Sequence, residues 1–412
     1  AFTRLPDDRL TLEFLTPAVC YSVRRVKGND VRRIGLVLAA GIATGLSLMT
    51  PRVGPAQQPA PVPTVNPALG VIDPSEFAPT VDFPAGIPGT IGPVDFPLDV
   101  NPLTGLPVSD PAVLQRRPIL AKISNGPPLV RPQHGIAQAD IVFEHYTEGG
   151  ITRFSAIFYS KTPRKAGSAR SARLIDYELT EMYKGLLAFS GASGGVEQKL
   201  FGSEFGARAY KGILYGRPYF WRDEAIDIPH NMFFGPAALW EIAARDGFQQ
   251  RPLLRGMAFH PLPPAGGTDD GTSIDIRYRA TRVQWRYDPG AGLYWRWADG
   301  QPHFDAGIDR QVSAENVVIV YAGHYLTDIV EAEYRGAVSY STQITLWPQG
   351  HAELFRDGRR YAGQWVRLTR PDLLGLRTDS GEMLYFKPGR TWFQVVQLPE
   401  QMNPIEEWTR WE

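Results

Sequence analysis

From Ser273 onward the chain is a succession of short apolar and aromatic runs, and this pattern narrows the fold most. IDIRYRATRVQWRYD, LYWRWADG, NVVIVYAG, QITLWPQG, HAELFRDGRRYAGQWVRL, EMLYFKPG and TWFQVVQL follow one another, parted by DPGAG, WPQG, RDGR, DSGE and KPGR. β-branched and aromatic residues between Gly, Pro and Asp turns predict strands joined by tight connections. Residues 274–398 are therefore read as a mostly antiparallel β-rich module. Its tryptophans, Trp285, Trp295, Trp297, Trp347, Trp365 and Trp392, suit core packing and cross-strand pairs better than a carbohydrate or partner surface.

Residues 100–250 read differently. RRPILAKISN (116–125) and ADIVFEHYTEGGITRFSAIFYSK (139–161) supply strands, with Glu148-Gly149-Gly150 as a hairpin turn. After Ser171 the period changes: Leu174, Ile175, Leu179, Met182 and Tyr183 fall on one helical face, and Gly185 suits the stop. LLAFSGASGG (186–195) is a short strand leading through a Gly/Ser loop to a helix over Val196 to Phe205. A further helix starts at Gly235-Pro236 and runs to about Arg245. Alternating strands and helices predict a layered α/β-type module, so the whole is an α+β chain. Residues 251–273 are assigned as linker.

The N-terminal part is of another kind. RRVKGNDVRR (24–33) precedes an uncharged segment, Ile34 to Met49. Basic flank and apolar core predict a signal or anchor, with residues 1–50 as cytoplasmic tail plus membrane segment and the remainder exported. Sixteen helical residues reach only about 24 Å. The short length favours a signal, whereas the lack of a clean cleavage site favours an anchor. Residues 51–99 hold twelve of the 36 prolines and few charges, which predicts a semi-extended tether. If the segment is uncleaved, the chain meets the membrane there. The protein is expected to be extracytoplasmic, anchored or secreted.

Basic and acidic residues both number 43, so no bulk charge draws the chain to nucleic acid. The single cysteine, Cys20, precedes the folded region and leaves it no disulfide and no thiol chemistry. The histidines have no metal-ligand spacing, so no metal is expected, and no motif calls for a cofactor.

The strongest site candidate is the loop AGSARSAR, Ala166 to Arg173. It enters a helix, where free N–H groups and a partial positive charge gather. Ser168 or Ser171 can cap that helix, and Arg170 and Arg173 can fork onto carboxylate or phosphate oxygens. The competing use of these arginines is pairing with Glu144 and Glu148. SGASGG, Ser190 to Gly195, is a second strand-to-helix loop, with Ser193 on it and no Lys-Ser/Thr nucleotide ending. Parallel strands would bring both loops to one sheet edge. IPHN, Ile228 to Asn231, adds Asn231 and His230, the one histidine beside these loops. His230 or Glu148 would be the acid–base group of an enzyme, and Ser171 or Ser193 a nucleophile if His230 reached it.

NPLTGLPV, RPQHGIAQADIVFEHYTEGGITRF, GSARSAR, PHN and the late DGRRYAGQW…PGRTW resemble the YerB-like family of bacterial envelope lipoproteins, a domain-of-unknown-function family with N-terminal and C-terminal modules. The resemblance covers most of residues 101–396, and EGGITRF is its most specific phrase. It implies an envelope location and a two-module architecture, and no established reaction. It also implies a shared site built from Glu148, Thr152, Arg153, Arg170, Ser171 and Arg173. Two departures stand out. No Cys follows the apolar segment to carry a lipid, and the arginine loop lacks the prolines of the family's GPVRSARP. The leading expectation is an envelope protein of unknown function that binds an anionic small molecule or envelope component at the first module's loops. The alternatives are a hydrolase or transferase on such a component, or a scaffold whose β-rich module meets a protein partner of unknown identity.

Overall fold

The structure is a computed structural model that describes residues 83–84 and 86–412, together with three short strands near the N-terminus. Those strands, Phe2–Arg4, Leu10–Leu12 and Ser22–Val23, pair antiparallel in a unit of their own. The expected signal or anchor, Ile34 to Met49, lies outside the described residues, as does most of the proline-rich stretch. Among the described residues, no helix is long and apolar enough to cross a membrane.

The second unit is an α+β fold built on one eleven-stranded sheet that draws on both halves of the chain. Its strands are β1 (Ile119–Ser124), β2 (Ile141–Tyr146), β3 (Thr152–Phe158), β4 (Leu186–Phe189) and β5 (Ala209–Lys211). They continue with β6 (Asn316–Tyr334), β7 (Ala337–Thr345), β8 (Gln349–Arg356), β9 (Arg359–Val366), β10 (Gly375–Arg377) and β11 (Thr391–Gln397). The order is β5-β4-β1-β3-β2-β11-β6-β8-β9-β10, and β7 pairs with the far end of β6. The seam is β11, which runs parallel to both β2 and β6, with Phe393 opposite Phe143 and Val318. The Phe143 and Phe393 rings stack there, 4.5 Å apart.

Both faces of this sheet are covered, which is why its central strands are apolar along their length rather than alternating. All six residues of β1 and all seven of β3 are buried. Helices α1 (Leu174–Tyr183) and α2 (Gly194–Phe201) bury Leu179, Met182, Val196 and Leu200 against one face. Helix α3 (Pro236–Arg245) covers the other face, together with a six-stranded sheet containing Ser273–Tyr278, Thr281–Asp288 and Leu293–Ala298. In that second sheet burial does alternate, so Ile274, Ile276 and Tyr278 face inward. Trp285, Trp365 and Trp392 are core residues, as expected.

Two assigned connections are part of the folded body. Residues 251–273 hold no helix and no strand of more than bridging length until Ser273, yet Leu254, Met257, Ala258 and Phe259 are buried. The last residues assigned to the tether run beside them, with Ile91 and Phe259 exchanging backbone hydrogen bonds of 2.9 Å.

The long hairpin of β6 and β7 matters most for the site. Beyond Ala322, β6 leaves the main sheet, pairs only with β7, and forms an arm lying against α1, α2 and the β2–β3 turn.

Candidate functional site

The turn between β2 and β3 is Glu148–Gly150, and Gly149 and Gly150 have φ of 76° and 73°. That left-handed backbone favours glycine, and a Cβ at Gly150 would also lie 2.9 Å from the Arg279 side chain. The turn thereby holds Glu148 where its carboxylate meets Arg173. Arg173 Nε donates to both Glu148 oxygens at 2.9 and 2.7 Å, and a terminal nitrogen reaches Oε2 at 2.7 Å. Glu331, from the hairpin arm, stands 3.5 Å away on the other side of the guanidinium.

The arginine loop is stitched down by its backbone. Arg170 N–H donates to Lys122 O, Ala169 N–H to Met232 O and Ala172 N–H to Gly191 O, at 2.7–2.9 Å. Ser190 N–H donates to Arg170 O at 2.9 Å, so the two Gly/Ser loops lie side by side, at the ends of the parallel strands β1 and β4. The cap of α1 corrects the sequence expectation. Neither Ser168 nor Ser171 supplies it: Arg173 is the N-cap residue, and Asp176 Oδ2 reaches back to its N–H at 2.7 Å. An acid at the third helical position is well placed to do this. The other Asp176 oxygen, buried, accepts from Lys122 at 2.9 Å and from Ser155 at 2.8 Å. Lys122 also contacts His145 Nε2 at 2.6 Å. Burial, only partly offset by Asp176, brings the Lys122 ammonium down to about 8.

Glu144 is the second correction. It is buried and pairs not with Arg170 or Arg173 but with Arg296 of the C-terminal half, at 2.7 Å. Asn125 and the Thr152 hydroxyl donate to its other oxygen, each at 2.8 Å. Thr152 is thus a buried support for Glu144 and stands apart from the loop arginines.

Arg153 and Arg170 remain, and among the described residues neither ends on a carboxylate. Arg153, 6% exposed, donates to the carbonyl of Ser171 at 2.7 Å. Burial first, then the like charges of Arg173 and Arg170, pull its guanidinium down to about 9. Arg170 is half-buried, donates to the Pro229 carbonyl at 3.0 Å, and is lowered by burial and then by Arg173. His230 follows Pro229 directly. Its Nδ1 is buried without a partner, and burial and then the Arg170 charge lower its pKa. No described hydrogen bond joins His230 to Ser171 or Ser193, so no nucleophile–base pair is formed.

Ser193 is the N-cap residue of α2, and its hydroxyl is buried without a partner, as is that of Ser168. Ile329 of the arm lies over this loop, where a Cβ on Gly195 would come within 2.7 Å of it. Asn231 is committed elsewhere: it accepts from Arg222 at 2.7 Å and donates to Asp223 O at 3.3 Å. The loops therefore bring together Glu148, Arg153, Arg170, Ser171, Arg173, Ser193 and His230, while Thr152 and Asn231 serve their surroundings. Asp176 and Glu331 had gone unread. The first was legible as an acid three residues past Arg173, and the second had no local signal. Among the described residues no cluster of His, Cys, Asp or Glu could hold a metal ion.

Comparison with known proteins agrees with this architecture. Residues 103–249 match the N-terminal domain, and residues 274–393 the C-terminal domain, of a family described as a protein of unknown function, DUF3048. A Bacillus subtilis (strain 168) protein named "Putative lipoprotein YerB" is 30% identical over 300 residues, 72% of this chain and 85% of that protein. The crystal structure of the YerB protein from Bacillus subtilis superposes with a TM-score of 0.62 at 28% identity, covering 72% of this chain and 96% of that one. With both domains matched in order across the described sheet, the chain belongs to the DUF3048 family of proteins of unknown function.

Proposed function

We propose that this is an extracytoplasmic envelope protein whose loop cluster binds an anionic, phosphate- or carboxylate-bearing group. The observation that carries the reading is Arg170, a half-buried guanidinium that ends on a carbonyl and whose pKa is lowered by burial and then by the like charge of Arg173. Lys122, Arg153, Arg170 and Arg173 face three carboxylates, those of Glu148, Asp176 and Glu331, so one positive charge is left over. A desolvated guanidinium without a counter-charge is costly, and an incoming anion removes that cost. Arg170 makes the direct contact in this reading, Arg153 strengthens the field from behind, and Ser193 at the start of α2 offers a hydroxyl. The basic and apolar N-terminal stretch and the lipoprotein name of the Bacillus subtilis relative support the location.

Titration with inorganic phosphate, followed by calorimetry, tests the reading. A charge-assisted hydrogen bond contributes about 1.5–3 kcal/mol. Arg170→Ala should therefore weaken phosphate binding about 10- to 100-fold. If the native chain shows no binding of phosphate or acetate at millimolar concentration, the reading is wrong and the arginines serve structure.

A further inference from the structure

The Glu148–Gly150 turn also borders a cleft of about 390 Å³. Both halves of the chain wall it. The turn and Tyr146 come from the first half, and the β6–β7 arm, Gln397 and Glu407 from the second. In the arm Val330 stands opposite Tyr340 and Leu326 opposite Thr342. Leu326, Val338 and Tyr340 consequently share one face, each more than 40% exposed, and all three line the cleft.

The charges in this cleft do not cancel. Glu148 is taken by Arg173, and Arg279 ends on Glu406 at 3.3 Å. Glu407 is buried and accepts only neutral donors: the Tyr146 hydroxyl, Asn403 N–H at 2.8 Å and, with the Gln397 amide turned so that its nitrogen faces the carboxylate, that nitrogen at 3.2 and 3.3 Å. Among the described residues no cation pairs with it. His324 lines the same cleft, its ring 5.7 Å from the Tyr146 ring and perpendicular to it. His324 Nδ1 lies 2.8 Å from the Ala322 carbonyl and so carries the proton. That leaves a lone pair on Nε2, which has no partner although the residue is only 8% exposed. Burial holds this ring neutral, bringing it down to about 4.

We propose that the cleft binds a protonated primary amine carried on an apolar stem, the ammonium at the Glu407 and His324 end and the stem on Leu326, Val338 and Tyr340. An ammonium supplies three donors and a positive charge, matching an unpartnered acceptor and an unbalanced carboxylate. A neutral polyol would satisfy His324 and leave the Glu407 charge unbalanced. An anion would add to it. This site uses other side chains than the Arg170 cluster and shares with it the Glu148 turn and the β6–β7 arm.

The test uses the full chain with hexylammonium as probe, and 1-hexanol and hexanoate as the uncharged and oppositely charged counterparts, followed by ligand-observed NMR. Hexylammonium should bind at least tenfold more tightly than hexanol, and hexanoate not measurably. Glu407→Gln should weaken hexylammonium at least tenfold and leave hexanol as before. Because Glu407 also ties Tyr146 to the C-terminal segment, Leu326→Ser serves as a second variant. Its exposed side chain can change without opening the core, and both hexylammonium and hexanol should weaken together. Equal binding of hexanol or of a neutral glycan fragment such as diacetylchitobiose, no effect of either variant, or no amine binding at all would overturn the proposal.

Discussion

Two groups of buried arginine sit within one fold and are treated in opposite ways. Arg296 is fully buried between the two halves of the chain. It pairs with Glu144 at 2.7 Å and His303 Nδ1, and the rings of Phe154, Trp392 and Trp285 surround it at 5.0–5.9 Å. His303 in turn meets Gln133, and Asn125 and Thr152 complete Glu144. In the loop cluster Arg153, Arg170 and Arg173 crowd together, and only Arg173 has carboxylates in contact. A buried charge that is paired and hydrogen-bonded locks structure, whereas one left short of counter-charge keeps a demand that solvent or ligand must meet. The arginines that looked alike in the sequence differ in what they are for.

The largest expected effect breaks the paired side of this contrast. Arg296→Ala leaves Glu144 buried without its counter-charge, which should cost about 3–5 kcal/mol of unfolding free energy in urea denaturation. Replacing both partners together, Glu144→Leu with Arg296→Met, should recover much of that loss. The loop cluster should respond the other way. Arg170→Ala should change urea stability by no more than about 0.5 kcal/mol, the range of substitutions away from paired core features. Its effect belongs in phosphate affinity. A stability loss as large as that of Arg296→Ala would make the two groups alike and end the distinction.

Glu148→Gln sharpens the contrast further, because it releases Arg173 from its counter-charge. Phosphate affinity should rise severalfold by calorimetry, whereas a Glu148 that itself acted as an acid–base group would have no reason to oppose binding. The smallest effect is on pH dependence. His145, His303 and His324 are all held below the usual histidine value by burial. Between about pH 6.5 and 4 the unfolded chain therefore binds protons that a folded His324 refuses, and the histidine contribution to stability falls as pH falls through that window. His324→Gln should flatten the slope by up to about 1.4 kcal/mol per pH unit, read from urea denaturation at stepped pH.

Much of the local structure was legible. The 3.6 period after Ser171 marked α1, Pro236 opened α3, and Glu148-Gly149-Gly150 turned β2 into β3. The two Gly/Ser loops are neighbours, as expected, through the Arg170–Ser190 and Ala172–Gly191 hydrogen bonds, but not because parallel strands feed them: β3, before the arginine loop, is antiparallel to β1, whereas β4 is parallel to it. Half of the ion-pair alternative was also readable, since Glu148 does take Arg173. Glu144 was misassigned because its partner lies 152 residues away on a strand with no local link to it. The same distance hid Glu331, which reaches Arg173 only because the β6–β7 arm bends over α1 and α2.

By itself the sequence determined the periods, the turns, the basic and apolar N-terminal stretch, and which loop would carry the arginines, because these depend on neighbours a few residues apart. Only the tertiary structure decided that β11 would enter between β2 and β6 and make one sheet of both halves. Strand pairing across hundreds of residues is chosen by complementary buried faces, which no local window contains. It also decided which arginines found carboxylates and which did not. Pairing depends on where distant side chains end up, so Arg296 became a pin while Arg170 kept its charge open.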